Sequence, residues 1–167
     1  MRLQWCWDEA SCLTRQQETS FFTSSTNWPT SLTLGGIFDS DRRRNPWSGA
    51  NKIYLAYCSS DAWAGDVGAA DNSFGFNFRG QRIIQATLSL LVSNNGLGSQ
   101  AGHRLLFGGC SAGSRGAMFN LDSVQAMVPS SVEVRLTVAS FMRSFTPNLT
   151  HMRPISGAGL SGQPSVG

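Results

Sequence analysis

Charged side chains are scarce in this sequence. They make up 14% of its 167 residues, against about a quarter in an average globular protein. The net charge is only +3, and the one basic run, residues 42–44, directly follows two aspartates. This arrangement is typical of a solvated turn with local ion pairs and not of a phosphate-binding face. We therefore expect no nucleic-acid partner.

Long apolar runs and clustered metal ligands are also lacking. No stretch approaches the roughly 20 apolar residues that span a bilayer, so we expect no transmembrane segment. The first residues, MRLQWCWDEAS, contain no apolar core of a signal peptide. The two histidines lie far from any cysteine pair with zinc-like spacing. We predict neither a metal site nor a cofactor.

Four cysteines are present, and two of them are neighbours in sequence. Cys6 and Cys12 are close enough to close a small disulfide loop, which favours an oxidising compartment. Cys110, between a glycine and a serine, is interpreted as a small buried residue.

One stretch, LLFGGCSAGSRGAM at residues 105–118, suggests chemistry. The apolar start predicts a short buried strand, and the spacing of apolar residues predicts a helix over 112–128. Between them lies Ser111, with Gly109 two residues before it and Gly113 two residues after it. A strand, a tight glycine turn and a helix form a nucleophile elbow, which pushes a serine hydroxyl outward. The alternative is an inert serine in a glycine-rich turn.

Other segments complete an α/β pattern around this turn. KIYLAY at 52–57 predicts a buried strand, and residues 132–136 predict another strand. Residues 81–93 predict a helix with Ile84, Leu88 and Leu91 on one apolar face. Residues 1–50 are interpreted as loop-rich, and SFGFNF at 73–78 as an extended piece. Helices that alternate with short apolar strands predict a mainly parallel sheet covered on both faces.

The length corresponds to one domain, which we place at residues 1–136. From residue 137 to 167 the sequence has no Asp or Glu and no periodic apolar face. This composition predicts a divergent, disordered tail.

Several separated blocks, in a fixed order, resemble the pectin acetylesterase and Notum family of secreted serine carboxylesterases. The blocks are WCWDEASC (5–12), NPWSGANKIYLAYCSSDAWAG (45–65), FNFRGQRIIQATLSLL (76–91) and LLFGGCSAGSRGAMFNLDSV (105–124). The similarity covers residues of about 3 to 135. It implies an incomplete α/β-hydrolase-like domain with flanking helices, and an extracellular location.

The resemblance also assigns roles to individual residues. It implies that Ser111 is the nucleophile, and that the backbone amides of Ala112 and Trp5 contribute to the oxyanion hole. Gln4 stands where the family has a glycine before Trp5. In the similar segment W-C-x-D-x-x-x-C, Cys6 and Cys12 would form a disulfide.

The aspartate and histidine of a catalytic triad are not identifiable. Asp122 falls too far along the predicted helix, since each helical residue advances about 1.5 Å. His103 precedes the nucleophile strand and is expected at the opposite end of the sheet, and His151 lies in the predicted tail. We therefore expect this chain by itself to be inactive or to show only trace activity.

Three functional interpretations remain open at this point. The first is a carboxylic ester hydrolase that removes O-acetyl or O-acyl groups from carbohydrate through Ser111. The second is a Notum-like protein O-acyl (palmitoleoyl) carboxylesterase, whose partner would be an acylated protein. The third is a catalytically dead piece that lacks the triad aspartate and histidine.

Overall fold

A computed structural model of the chain describes residues 5–71 and 73–139. Its main elements are three α-helices, α1 (Glu9–Glu18), α2 (Gly80–Ser93) and α3 (Ala112–Met127), and two strands, β1 (Arg104–Cys110) and β2 (Glu133–Ala139). Two short 3-10 helices lie at Ser20–Phe22 and Gly36–Phe38. Among the described residues, 33–52 form one compact unit and the others form a second unit, which contains all five main elements.

The strands β1 and β2 form a parallel pair joined by α3. Their register places Leu105 opposite Val134 and Phe107 opposite Leu136. A β–α–β unit is the expected connection for parallel neighbours, since a hairpin cannot join them. The strand–turn–helix–strand order predicted for residues 105–136 is therefore confirmed.

A small apolar core lies between the helices, the sheet and the loop before α2. Its buried members are Trp63, Ile84, Leu88, Val124, Val128 and Val132. The helix predicted over 81–93 begins one residue earlier, and two of its predicted face residues, Ile84 and Leu88, are buried. Full burial of such side chains contributes about 1.5–3 kcal/mol each. The periodicity in the sequence thus identified the buried face of α2 correctly.

The helix α1 lies within the region interpreted as loop-rich. It begins with a capping box in which the Asp8 side chain accepts the Ser11 N–H at 2.7 Å and the Ser11 hydroxyl oxygen accepts the Asp8 N–H at 3.1 Å. Such reciprocal bonds satisfy N–H groups that a helix start leaves free. The low overall hydropathy of the helix gives a weak sequence signal, which explains why it was missed.

The strand predicted over 52–57 is wrong, because these residues form no strand. Ile53 and Tyr54 are 48% and 52% exposed. β-branched and aromatic residues form a strand only where a neighbouring strand supplies backbone hydrogen-bond partners. The composition of a single segment does not indicate whether such a strand is present. Within residues 5–71 and 73–139 the sheet consists of β1 and β2 alone.

The sheet is also not covered on both faces by the described residues. Leu105, Phe107 and Val134 pack against the core, whereas Leu106 and Cys110 on the other face of β1 are exposed. The prediction that Cys110 is buried is therefore wrong. The alternation along β1 follows from the two-residue period of a strand.

Smaller differences concern the ends of segments. β2 extends to Ala139, three residues into the predicted tail, and the rest of that tail lies outside the described residues. In the segment 73–78 only Phe78 forms a β-bridge, an antiparallel one with Val67. No described helix has the length and apolar character needed to traverse a bilayer.

The unit of residues 33–52 is organised around a buried asparagine. The Asn45 amide donates to the Ile37 and Asp39 carbonyls at 2.8 and 2.6 Å. The predicted local ion pairs are present, since Arg44 contacts Asp39 at 2.8 Å and Asp41 at 3.0 Å. The hydrogen bond from Arg44 lowers the pKa of Asp39.

Candidate active site

Ser111 occupies a sharp turn between β1 and α3. Its backbone has φ 56° and ψ −117°, in a region that residues with a side chain rarely adopt. A strained serine between a strand and a helix is the geometry of a nucleophile elbow. The predicted elbow is confirmed, while the role of Ser111 as nucleophile stays a prediction.

The two glycines of the elbow serve different purposes. A Cβ on Gly109 would lie 2.4 Å from the carbonyl carbon of Gly113, closer than real Cβ contacts allow. A Cβ on Gly113 would meet no atom within 4 Å. The turn therefore brings the Gly113 backbone against Gly109, and only the first glycine is required by that close approach.

Backbone hydrogen bonds connect the elbow to the second strand and start the helix. The Ser111 N–H donates to the Ala139 carbonyl at 3.2 Å. The Ser111 carbonyl accepts the N–H groups of Ser114 at 3.0 Å and Arg115 at 3.3 Å. The Ser114 hydroxyl oxygen lies 2.7 Å from both the Gly109 and the Ala139 carbonyl oxygens. Sequence analysis did not identify Ser114, because no local pattern indicates a bond to β2.

The residues predicted for the oxyanion hole both belong to this region. Ala112 is the first residue of α3, where helical N–H groups have no intrahelical acceptor and carry partial positive charge. The Arg115 guanidinium lies 4.5 Å above the ring of Trp5, so Trp5 contacts the first turn of α3. Their part in an oxyanion hole stays a prediction.

A second strained turn, residues 59–63, lies against α3. Ser60, Ala62 and Trp63 have φ of 50°, 53° and 64°. The Trp63 carbonyl accepts the Asn120 side-chain amide at 2.8 Å. A Cβ on Gly116 would lie 2.5 Å from the Trp63 Cβ, so the helix and the turn are in close contact.

Asp61 holds this turn together. Its carboxylate accepts hydrogen bonds from the Ser59 hydroxyl at 2.6 Å and from the N–H groups of Trp63 at 2.9 Å and Gly65 at 3.1 Å. It also accepts the N–H of Gly80, the first residue of α2, at 2.7 Å. A carboxylate at this position satisfies a free helical N–H and interacts favourably with the helix dipole.

Arg15 fastens α1 to the same turn. Its side chain is buried, with Nε donating to the Ser60 hydroxyl at 2.8 Å and the guanidinium lying 4.6 Å from the Phe22 ring centroid. Burial lowers the pKa of Arg15 and raises that of Tyr57, whose hydroxyl accepts the Ala62 N–H at 2.6 Å. These contacts hold the turn at residues 59–63 against α1.

Comparison with known proteins identifies the family. A family model described as pectinacetylesterase matches residues 3–148. The chain belongs to the pectinacetylesterase family. Two curated relatives and one solved structure show what share of a family member's length this chain covers.

The chain is 32% identical over 137 residues to the palmitoleoyl-protein carboxylesterase NOTUM of Drosophila melanogaster, covering 80% of this chain and 20% of that protein. It is 36% identical over 121 residues to notum1 of Xenopus laevis, covering 72% and 24%. The structure of the Wnt deacylase Notum from Drosophila, crystal form II, matches with a TM-score of 0.72 and 32% identity, covering 79% of this chain and 40% of that one. The α/β-hydrolase-like fold is thereby confirmed. This chain spans about a fifth to a quarter of the length of these two curated relatives.

The cysteine pair expected from the family resemblance is close but not bonded. Cys6 and Cys12 are free thiols in the structure, and each influences the pKa of the other. Burial is the main reason that the pKa of Cys6 is raised and that of Cys12 reaches about 12. Their pairing as a disulfide stays a prediction.

Neither Asp122 nor His103 is placed to act as a base beside Ser111. Asp122 is on the exposed side of α3. His103 precedes β1 and lies eight extended residue steps before Ser111, about 26 Å away. The His103 Nδ1 accepts the Gly98 N–H at 2.9 Å, which gives it a structural role in the turn before β1. His151 lies outside the described residues. Within the described ranges no group of acidic, histidine or cysteine side chains could hold a metal ion.

Proposed function

We propose that this chain is the nucleophile-bearing part of a carboxylic ester hydrolase that removes O-acetyl or O-acyl groups through Ser111. The observation that carries the proposal is the strained backbone of Ser111 at the junction of a parallel strand and a helix. Strain of this kind persists only where the surrounding structure enforces it, and it concentrates at functional sites. Family membership supports the same reaction class.

The proposed chemistry is acyl transfer to the serine hydroxyl. Ser111 Oγ attacks the ester carbonyl carbon while its proton passes to a base, and the carbonyl oxygen becomes an oxyanion. The N–H groups of Ala112 and Trp5 would stabilise that charge. The alcohol leaves, and water then releases the acid from Ser111. In this proposal Ser111 is the nucleophile and the N–H groups of Ala112 and Trp5 are the donors, while neither His103 nor Asp122 is placed to act as the base.

Two substrate classes are compatible with this chemistry. The family description favours an acetylated carbohydrate, since it names pectin acetyl esters. The similar proteins from Drosophila and Xenopus are named as carboxylesterases of palmitoleoylated protein, which favours an acylated protein. We propose the acetylated carbohydrate first and the acylated protein as the alternative. We also propose an extracellular location, which membership of the pectinacetylesterase family supports.

The test is covalent modification of Ser111 in the purified chain by a fluorophosphonate probe, followed by peptide mass spectrometry. We expect slow modification that maps to Ser111 and is lost in Ser111→Ala, together with trace hydrolysis of p-nitrophenyl acetate. A comparison with p-nitrophenyl octanoate separates a preference for acetyl from one for long acyl groups. Modification and hydrolysis that are unchanged in Ser111→Ala would contradict the proposal and support the inactive alternative.

A further inference from the structure

The conformation of Ser111 requires a support that the two glycines do not provide. Gly109 allows the chain to turn closely, but the lack of a side chain at Gly109 does not by itself keep the φ of Ser111 at 56°. A residue in a sparsely populated backbone region stays there only when neighbouring bonds prevent its relaxation. The groups that bond to the elbow are therefore candidates for a role in positioning the nucleophile.

The Ser114 hydroxyl is the side-chain group at the centre of these bonds. Its oxygen lies 2.7 Å from the Gly109 carbonyl oxygen at the end of β1 and 2.7 Å from the Ala139 carbonyl oxygen at the end of β2. It also accepts the Ala139 N–H at 3.0 Å. A serine hydroxyl has one proton and two lone pairs, so one donated and one accepted bond use most of its capacity.

The pattern differs from the ordinary behaviour of serine in a helix. A helical serine usually bonds back to the carbonyl three or four residues earlier in the same helix. Ser114 reaches five residues back, past the start of α3, to a carbonyl within β1. It also reaches a second strand that is 25 residues away in sequence. Its bonds thus join three elements at one point.

Ser111 depends on the same acceptor. Its N–H donates to the Ala139 carbonyl at 3.2 Å, the carbonyl that the Ser114 hydroxyl contacts. A shift of Ala139 therefore changes the bond that restrains the Ser111 amide. We propose that Ser114 is a positioning residue that holds Ser111 in its strained backbone conformation. This inference rests on the proposed function only where it concerns reactivity.

The experiment compares Ser114→Ala and Ser114→Thr with Ser123→Ala, a control that removes a half-buried hydroxyl farther along the same helix. Three quantities are measured in the full chain: the rate of Ser111 modification by the fluorophosphonate probe, the hydrogen exchange rate of the Ser111 amide by NMR, and the midpoint of urea unfolding. The third quantity detects a general loss of stability.

In Ser114→Ala we expect modification of Ser111 to slow by about tenfold to a hundredfold, as for a misplaced catalytic group. We expect its amide exchange to accelerate by roughly fivefold or more, the effect of one lost hydrogen bond. Ser114→Thr, which keeps the hydroxyl, should restore both quantities, and Ser123→Ala should change neither.

The inference is overturned if amide exchange at Ser111 in Ser114→Ala equals that of the wild type. It is equally overturned if Thr fails to restore the exchange while the urea midpoint is unchanged. If the wild-type chain shows no modification at Ser111, the proposed function fails, and the exchange measurement still decides whether Ser114 holds the elbow.

Discussion

The two strained turns of this molecule are stabilised in different ways. At Ser111 the crowding is local, since Gly109 meets the Gly113 backbone and the whole turn fits within five residues. At residues 59–63 the stabilising groups come from elsewhere in the chain, with Gly80 on α2 and Asn120 on α3 among them. The close contact within the first turn is made by neighbours in sequence, and its outside bonds go to the single residue Ala139 on β2. The second turn is held by groups from two helices, α2 and α3. Substitutions should therefore affect the two turns differently.

The largest effect is expected from Asp61→Ala. The substitution leaves three backbone N–H groups and one hydroxyl without the carboxylate that they share. Unsatisfied buried donors cost about 1–3 kcal/mol each, and we expect the free energy of unfolding to fall by roughly 3–5 kcal/mol. Urea unfolding followed by circular dichroism measures this loss.

The matched control is Asp66→Ala, because the Asp66 carboxylate bonds to the side chains of Arg79 and Arg82 near the surface. Solvent-exposed ion pairs contribute little, so the loss should be clearly smaller than for Asp61. Equal losses in the two variants would show that Asp61 does not support the second turn.

The next effect concerns the local turn. In Gly109→Ala the new Cβ must displace the Gly113 backbone, and overpacking of this kind costs about 1–3 kcal/mol. Gly113→Ala adds a Cβ in open space and should leave stability unchanged or slightly increased, because alanine favours helix. Thermal unfolding of both variants checks the pair, and a greater loss in Gly113→Ala would refute our assignment of the two glycines.

An effect of at most similar size is expected where the second turn meets α3. Asn120→Ala removes the amide that donates to the Trp63 and Gly116 carbonyls at 2.8 Å. We expect a loss of about 1–3 kcal/mol, the cost of leaving a buried carbonyl unsatisfied. Gln125→Ala, an exposed position on the same helix, is the control and should change stability little. Equal unfolding midpoints for Asn120→Ala and the wild type would show that the hydrogen bonds of the Asn120 amide do not stabilise the fold.

The smallest effect depends on pH. In reducing buffer Cys12 is a thiol whose pKa is raised from 9.0 to about 12, chiefly by burial. The folded state thus holds this proton more tightly than the unfolded state, so the stability it contributes is complete below about pH 9 and is lost as pH rises toward 12. The difference in unfolding free energy between wild type and Cys12→Ala should shrink over that interval.

The exposed thiol of Cys110 provides the comparison for this measurement. The same pH series with Cys110→Ala separates an effect of burial from an effect common to all thiols. If the stability difference between the wild type and Cys12→Ala stays constant from pH 8 to pH 11, burial of Cys12 does not influence its ionisation as the structure implies.

These comparisons also explain what the sequence could predict. The α2 face of Ile84 and Leu88, the elbow at Ser111 and the strand at β2 depend on periodicity or on neighbours within five residues, and all were predicted. Asp61 and Ser114 were not predicted, because their partners lie up to 19 and 25 residues away. The strand prediction for residues 52–57 is wrong for a related reason, because the described residues supply no partner strand beside this segment.

The different ranges of these bonds have a consequence for the order of folding. The unit β1–α3–β2 is continuous in sequence, so its contacts close short loops at low entropic cost. The bond between Trp63 and Asn120 joins residues 57 positions apart and closes a longer loop. We therefore expect the helix that follows Ser111 to form against its two strands early, and the turn at 59–63 to dock onto it late. Asn120→Ala should then accelerate unfolding and leave the refolding rate nearly unchanged.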